Sequence, residues 1–347
     1  MEKLEVVRAV LKTLEAGEPC ELVVVAGTAG SSPRGVGAWM AVFADGSQQG
    51  TVGGGKVELN AAVEARDLLG QSRSRLVRYT MGGESSDTGM ICGGAICLCY
   101  LYLDPEQEGF FHEVADILTY RRIGDFSIDF SAFMDAPLEG EVPEYHGDAS
   151  RRTIDGCPGL KIVPEQGKTT YTNAASEYPP AHVEALCPEG LTYIFGAGHV
   201  GAATARVLTE AGFAVVVCDD RPGLLTAEQL PGVYERRLVD YKDIAATCQI
   251  GPRDLVVVAT AGHKSDIDAV IQAMRANPAY LGCLGSKRKT AFVHERLTEA
   301  GFTPEQIAGL HLPVGVPIEA EDPGEIAVSI AAQMVHFRRT HLIPRNR

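Results

Sequence analysis

The feature that most restricts this chain is a glycine-spaced turn set between two apolar runs. Leu191 to Phe195 is a short apolar run, Gly196-Ala-Gly198-His199-Val-Gly201 follows it, and residues 200–211 carry helical spacing. Residues 214–218 are a second apolar run that closes on Asp219. Strand, tight turn and helix in that order, with an acidic residue roughly 20 positions on, form the fingerprint of a dinucleotide-binding crossover. Gly196 permits the turn, Gly198 lets backbone approach a pyrophosphate, and Gly201 lets the helix lie close on the strand. His199 sits where a ligand phosphate passes the helix amides, and Asp219 offers an acceptor to a ribose hydroxyl. Asp220 and Arg221 come next, so a ribose 2′-phosphate would meet carboxylates before it met the guanidinium. The alternation of strand and helix continues through 254–259, 267–274, 280–284 and 290–300, which predicts a parallel sheet covered on both faces. Gly285-Ser286-Lys287-Arg288-Lys289 ends one such strand and opens a helix, giving either a second phosphate site or a solvated helix start.

The N-terminal half obeys a different grammar. Leu4, Val7, Leu11 and Leu14 make an amphipathic helix ending at Gly17, and strands are predicted at 21–26, 39–43, 76–79 and 95–103. Gly50-Thr-Val-Gly53-Gly54-Gly55-Lys56 opens a second helix over 56–69. Its spacing imitates a phosphate-binding loop, but Val57 stands where Mg²⁺ coordination needs Ser or Thr, so an ATPase is rejected. Gly53, Gly54, Gly55 and Lys56 present either bare backbone to a planar or anionic ligand or simply a packed turn, with Glu58 in the first helical turn. Cys92 lies between glycines, where it serves as a soft-metal or sulfur ligand or as an inert loop thiol, whereas Cys97 and Cys99 alternate into a sheet. Prolines punctuate 135–180, which predicts hairpins extending the first sheet and a linker near 177–188. The fold class is therefore α/β: an N-terminal α+β domain over 1–180 and a C-terminal Rossmann-type doubly wound parallel sheet over 189–347.

Composition removes other classes. Lys plus Arg number 31 against 45 Asp plus Glu, for a net charge of −14, which argues against nucleic acid as a partner because counterion release needs a basic face. No apolar stretch reaches membrane-spanning or signal length, so a cytoplasmic protein with no membrane partner is expected. Nine cysteines without paired zinc-ribbon spacing read mostly as buried thiols, and no histidine pair has metal-ligand spacing.

Taken together, two blocks resemble the XdhC/CoxI family, accessory proteins of molybdenum hydroxylases such as xanthine dehydrogenase. The first block is Gly30-Ser-Ser-Pro-Arg34, Gly37-Ala-Trp-Met40, Asp45-Gly46, Gly50 to Glu58 and Cys92-Gly-Gly94; the second is Gly196 to Gly201, Asp219-Asp-Arg-Pro222, Gly285 to Lys289 and Pro323 to Ile330. Residues 136–188 match poorly. The resemblance implies a chaperone rather than an enzyme: it binds molybdenum cofactor as molybdopterin or its cytosine dinucleotide, protects it while a cysteine desulfurase supplies sulfur, and inserts it into a hydroxylase apoprotein. It also implies a homodimer. The cofactor phosphate suits Arg34, Lys56 or Lys287, the pterin suits the glycine surfaces, and molybdenum suits the Cys92 thiolate. The family's Asp after Pro-Ile-Gly-Leu is replaced here, where Pro313-Val-Gly-Val-Pro317-Ile-Glu319 stands. The alternatives are an NAD-dependent oxidoreductase, with NAD or another nucleotide at the fingerprint, and an adaptor that binds no small molecule. No His-carboxylate or Tyr-Lys relay at the strand ends favours the former.

Overall fold

The computed structural model describes residues 2–30, 34–81, 94–138, 150–163, 172–173 and 181–342. The chain divides into two units, one reaching to Cys187 and one starting at Pro188.

The first unit opens with α1 (Glu2–Glu15), whose Val6, Val7, Val10, Leu11 and Leu14 are buried. The central strand β1 (Cys20–Gly30) pairs antiparallel with β2 (Trp39–Phe43), which pairs with the short β3 (Gln48–Gly50). Next come α2 (Gly55–Gln71), β4 (Arg73–Met81) and β5 (Gly94–Leu103), with β5 on the other side of β1 and β4 beyond it. Period-two alternation along β1 divides the core. Leu22 and Val24 join α1 and α3 (Glu108–Tyr120) on one face, whereas Val23 and Val25 join Ala61, Ala65 and Leu68 of α2 on the other. Burying each such aliphatic side chain contributes about 1.5–3 kcal/mol.

The stretch 105–187 is more structured than its sequence suggests. It holds α3, β6 (Asp125–Asp129), α4 (Ser131–Asp135), β7 (Ser150–Asp155), β8 (Leu160–Val163), β9 (Thr172–Asn173) and β10 (Ala181–Ala185). The hairpins expected there do not all extend the first sheet. β7 joins it antiparallel beside β4 and β9 joins β1 in parallel, but β8 pairs with β6 in a separate sheet of order β10-β6-β8. The reason is apolar cover: Leu160 and Ile162 pack on the core that includes Ile117 and Phe126. β7 instead completes a polar cluster on the α2 face, where Arg75 Nε donates to Thr153 Oγ1 (2.8 Å) and Arg75 Nη1 to Glu64 Oε1 (3.0 Å).

The second unit is doubly wound. Strands β11 (Thr192–Phe195), β12 (Val215–Asp219), β13 (Glu235–Leu238), β14 (Leu255–Val258) and β15 (Tyr280–Cys283) form one parallel sheet of order β13-β12-β11-β14-β15. Ile194, Val217 and Val257 face α5 (His199–Glu210) and α9 (Pro323–Phe337). Phe195, Val216 and Val258 face α6 (His263–Ala276) and α7 (Lys287–Glu299). Continuous apolar runs with both faces covered are the mark of such a sheet. The short α8 (Pro304–Ala308) lies between α7 and α9 and is capped by the Thr303 side chain. No helix among the described residues is long and apolar enough to cross a membrane.

Candidate functional site

The strand order places one position apart from the rest. β11 and β14 are neighbours, yet α5 leaves β11 for one face of the sheet and α6 leaves β14 for the other. In an open parallel sheet the crevice beyond the carboxyl ends of two such strands is where ligands bind. The fingerprint loop occupies that edge.

Its three glycines are required for different reasons. Gly196 has φ 118°, and a Cβ there would run into the Ala259 carbonyl oxygen, so the β11 and β14 loops touch backbone to backbone. A Cβ on Gly201 would collide with the Gly196 carbonyl oxygen, so its absence is what seats α5 on the turn. Gly198 is unlike both. It has ordinary φ and ψ of −69° and −174°, and a Cβ there would meet nothing within 4 Å. Nothing among the described residues asks for a glycine at this position. It is the cap residue of α5, no side chain among the described residues caps the helix there, and its first turn carries no acid. The amides that open α5 therefore present their positive potential outward past exposed His199.

Asp219 is already engaged. Its buried carboxylate accepts from Ala197 N (2.6 Å) and Arg221 Nη2 (2.9 Å) at Oδ2, and from Arg221 N (2.9 Å) and Arg221 Nε (2.8 Å) at Oδ1. Four donors saturate a carboxylate. Burial opposes its ionisation, but the Arg221 fork and the two amides outweigh that and hold Asp219 below the usual carboxylate range. Arg221, which the sequence sets against a ribose 2′-phosphate, instead turns inward and covers Asp219.

Two further segments share this edge. Thr260 after β14 donates from N (3.0 Å) and Oγ1 (2.7 Å) to Asp266 Oδ1, so that loop is tied by the first turn of its own helix. After β15, exposed Ser286 leads into α7, and its carbonyl accepts from Thr290 N (3.2 Å). Lys287 begins that helix, and the side chains of 287–289 lie outside the described set. The sheet order thus puts Gly196, Gly198, His199, Gly201, Asp219, Ser286 and Lys287 at one edge of one unit. Pro317 and Glu319, the departure from the family pattern, are both exposed, and Glu319 takes a left-handed φ of 55°.

The remaining candidates belong to the first unit. Gly53, Gly54 and Gly55 have φ of 136°, 73° and 64°, so that backbone calls for glycine, and a Cβ at Gly54 or Gly55 would meet nothing within 4 Å. This loop supplies its own anion. Glu58 Oε2 accepts from the Thr51 hydroxyl, Val52 N (3.1 Å) and Gly54 N (3.0 Å). Burial raises the Glu58 pKa, but these donors prevail and hold it below the ordinary value. Lys56 is exposed at the head of α2. Arg34 pairs with Glu2 of α1. Cys92 lies outside the described residues.

The Gly37 to Met40 segment serves a buried charge that the sequence did not reveal. Glu184 of β10 accepts from Lys3 Nζ (2.6 Å) and Trp39 Nε1 (2.5 Å), and a Cβ on Gly37 would strike its carboxylate. Burial opposes its ionisation, yet the Lys3 ammonium above all holds its pKa down to about 2. Among the described residues no group of three or more His, Cys, Asp or Glu could hold a metal ion.

Comparison with known proteins adds the family context. Residues 192–334 match the XdhC Rossmann domain, and residues 13–80 match the XdhC and CoxI family. The chain is 27% identical over 331 residues to a probable xanthine dehydrogenase subunit of Bacillus subtilis (strain 168), spanning 94% of this chain and 95% of the relative. It is 25% identical over 333 residues to the molybdenum cofactor insertion chaperone PaoD of Escherichia coli (strain K12), spanning 96% and 88%. A crystal structure of a xanthine dehydrogenase from Bacillus halodurans shares the fold, with a TM-score of 0.75 at 24% identity over 98% of this chain and 97% of that one.

Proposed function

Because the chain belongs to the XdhC and CoxI family, we propose that it carries molybdenum cofactor as cargo for a hydroxylase of the xanthine dehydrogenase type. Its role is that of an accessory and insertion factor rather than a catalyst. The cargo is held, shielded while a cysteine desulfurase replaces a terminal oxo ligand by sulfur, and released unchanged in redox state to the apoprotein.

The observation that carries this reading is Gly198. A bare, unstrained glycine with no described atom over it, at the head of a helix that no described side chain caps and at the strand order's switch point, suits a phosphate-bearing guest. Gly196 and His199 flank it, and Ser286 and Lys287 stand two strands along for a second phosphate if the guest is the dinucleotide form. In the first unit, taken by itself, Cys92 is proposed as the thiolate toward molybdenum and Lys56 as a phosphate contact, whereas Glu58 already meets the Val52 and Gly54 amides and Arg34 pairs with Glu2.

Asp219 speaks against the oxidoreductase reading. A nicotinamide dinucleotide needs that carboxylate for its ribose, and all four acceptor positions are taken within the protein. The deciding experiment is anaerobic purification followed by molybdenum and pterin analysis, then transfer to apo-hydroxylase. The expected result is bound pterin with molybdenum, and hydroxylase activation that depends on this protein. Protein that binds no cofactor and leaves activation unchanged, or that turns over reduced nicotinamide with a substrate, overturns the proposal. Cys92→Ala is expected to lose cofactor retention; full retention with full activation removes the thiol from the site.

A further inference from the structure

Directly beneath the fingerprint loop lie two thiols far apart in sequence. Cys218, the penultimate residue of β12, and Cys248, in the turn before β14, are both buried with their sulfurs 3.7 Å apart and unbonded. We propose that Cys218 and Cys248 are a redox-active dithiol that closes to a disulfide on reaction with a peroxide.

The surroundings of Cys248 are those of a nucleophile. The Thr247 hydroxyl lies 3.8 Å from its sulfur. Arg237 of β13 is fixed beside the same turn, with Nη1 donating to Thr247 O (3.0 Å) and Nε to Glu235 Oε1 (2.7 Å). The Cys218 thiol donating to it, then Thr247 and the Arg237 guanidinium, hold Cys248 below the ordinary thiol range. Other thiols behave oppositely: desolvation pushes buried Cys20 and Cys97 and half-buried Cys157 up to about 12. Geometry and electrostatics thus single out one thiol as attacker, with a second in van der Waals contact to resolve it.

The chemistry balances with hydrogen peroxide as sole oxidant. The Cys248 thiolate attacks one peroxide oxygen, breaking the O–O bond to give a sulfenic acid and hydroxide, which takes up the thiol proton as water. Cys218 sulfur then attacks Cys248 sulfur, the S–O bond breaks, and the departing hydroxide leaves as a second water with the Cys218 proton. Two thiols lose two electrons, and one peroxide becomes two waters. A small oxidant is the fitting class because both thiols are buried.

The pair is positioned to matter to the loop above it. The Cys218 carbonyl accepts from Gly196 N (2.7 Å), and the next residue, Asp219, accepts from Ala197 N. Closing the disulfide pins the end of β12 to the turn at 248 and with it both backbone anchors of the fingerprint. The redox pair stands whatever the second unit binds.

The test uses the full chain. Reduced protein is exposed to hydrogen peroxide, blocked with N-ethylmaleimide under denaturing conditions, and digested with trypsin. Cys218 falls in peptide 207–236 and Cys248 in peptide 243–253, neither with another cysteine. The linked pair is expected to become the dominant form of both peptides and to revert with dithiothreitol. In Cys218→Ser, Cys248 is expected to persist as a sulfenic acid captured by dimedone. Wild-type protein whose two peptides stay fully maleimide-labelled, or whose Cys248 runs on to sulfinic acid without forming the link, overturns the proposal.

Discussion

Two glycine-rich turns, each leading into a long helix, meet the same electrostatic problem in opposite ways. Before α2, the glycines are demanded by positive φ, and Glu58 of the helix folds back to satisfy the loop amides. Before α5, Gly196 and Gly201 are demanded by close backbone approach, while Gly198 is demanded by nothing among the described residues, and no acid sits in the first turn. One turn is closed on itself and the other is left open. Glycine content therefore does not by itself point to a ligand; the proposal for the α5 turn rests on a glycine with no contact among the described residues that requires it, beside helix amides with no acid in the first turn.

Four substitutions break or sharpen this contrast. The largest effect is expected for Gly201→Ala, which drives a methyl group into the Gly196 carbonyl and should destabilise the protein by ~3 kcal/mol in chemical unfolding. Gly196→Ala should behave alike, since it adds left-handed strain to the clash with Ala259. An unfolding midpoint unchanged in both would mean that the glycines of this turn are not packed as described.

Gly198→Asp should then separate stability from binding. A carboxylate at the cap of α5 copies what Glu58 does for the other loop, so the free protein gains about 0.5 kcal/mol. The same carboxylate occupies the guest's place and repels its phosphate, so cofactor retention should fall at least about tenfold, or ~1.4 kcal/mol. A rise in thermal midpoint with loss of cofactor is the expected pair of readouts. Retention equal to wild type would remove Gly198 from the site.

The contrast was half legible in the sequence. β11, its turn, α5 and β12 are contiguous, so apolar run, glycine spacing and Asp219 announce them locally. The saturation of Asp219 was not legible, because adjacency to Arg221 says nothing about whether the fork turns inward or outward. Glu58 was placed in the first turn of α2, but its return to Val52 and Gly54 depends on the loop's positive φ angles, which glycine permits without dictating. Partners distant in the chain were invisible for a plainer reason. Lys3, Trp39 and Glu184, or Cys218 and Cys248, carry no periodicity that links them; only the packing of helix, strand and turn brings them together. The β10-β6-β8 sheet was missed likewise, since three short strands scattered over 125–185 have no shared spacing to read.

The smallest loss, and the most specific, is expected for Glu58→Gln. An amide keeps one acceptor oxygen for the loop but loses the charge, and because the site is partly solvated the cost should be only about 1 kcal/mol near neutrality. The pH dependence distinguishes this from a packing defect. Glu58 in the folded chain titrates below the ordinary glutamate value of 4.5, so the unfolded chain binds the proton more readily. Its contribution is complete above pH 4.5 and drains away as pH falls through the lower, folded value. Wild type should therefore exceed Glu58→Gln in unfolding free energy near neutrality, and the two should converge on acidification. Gly198→Asp should mirror this, its gain over wild type vanishing as the new carboxyl protonates below about 3.9. If the two differences respond oppositely to acid, the turns do not differ merely in who supplies the anion, and the openness of the α5 turn would need another cause.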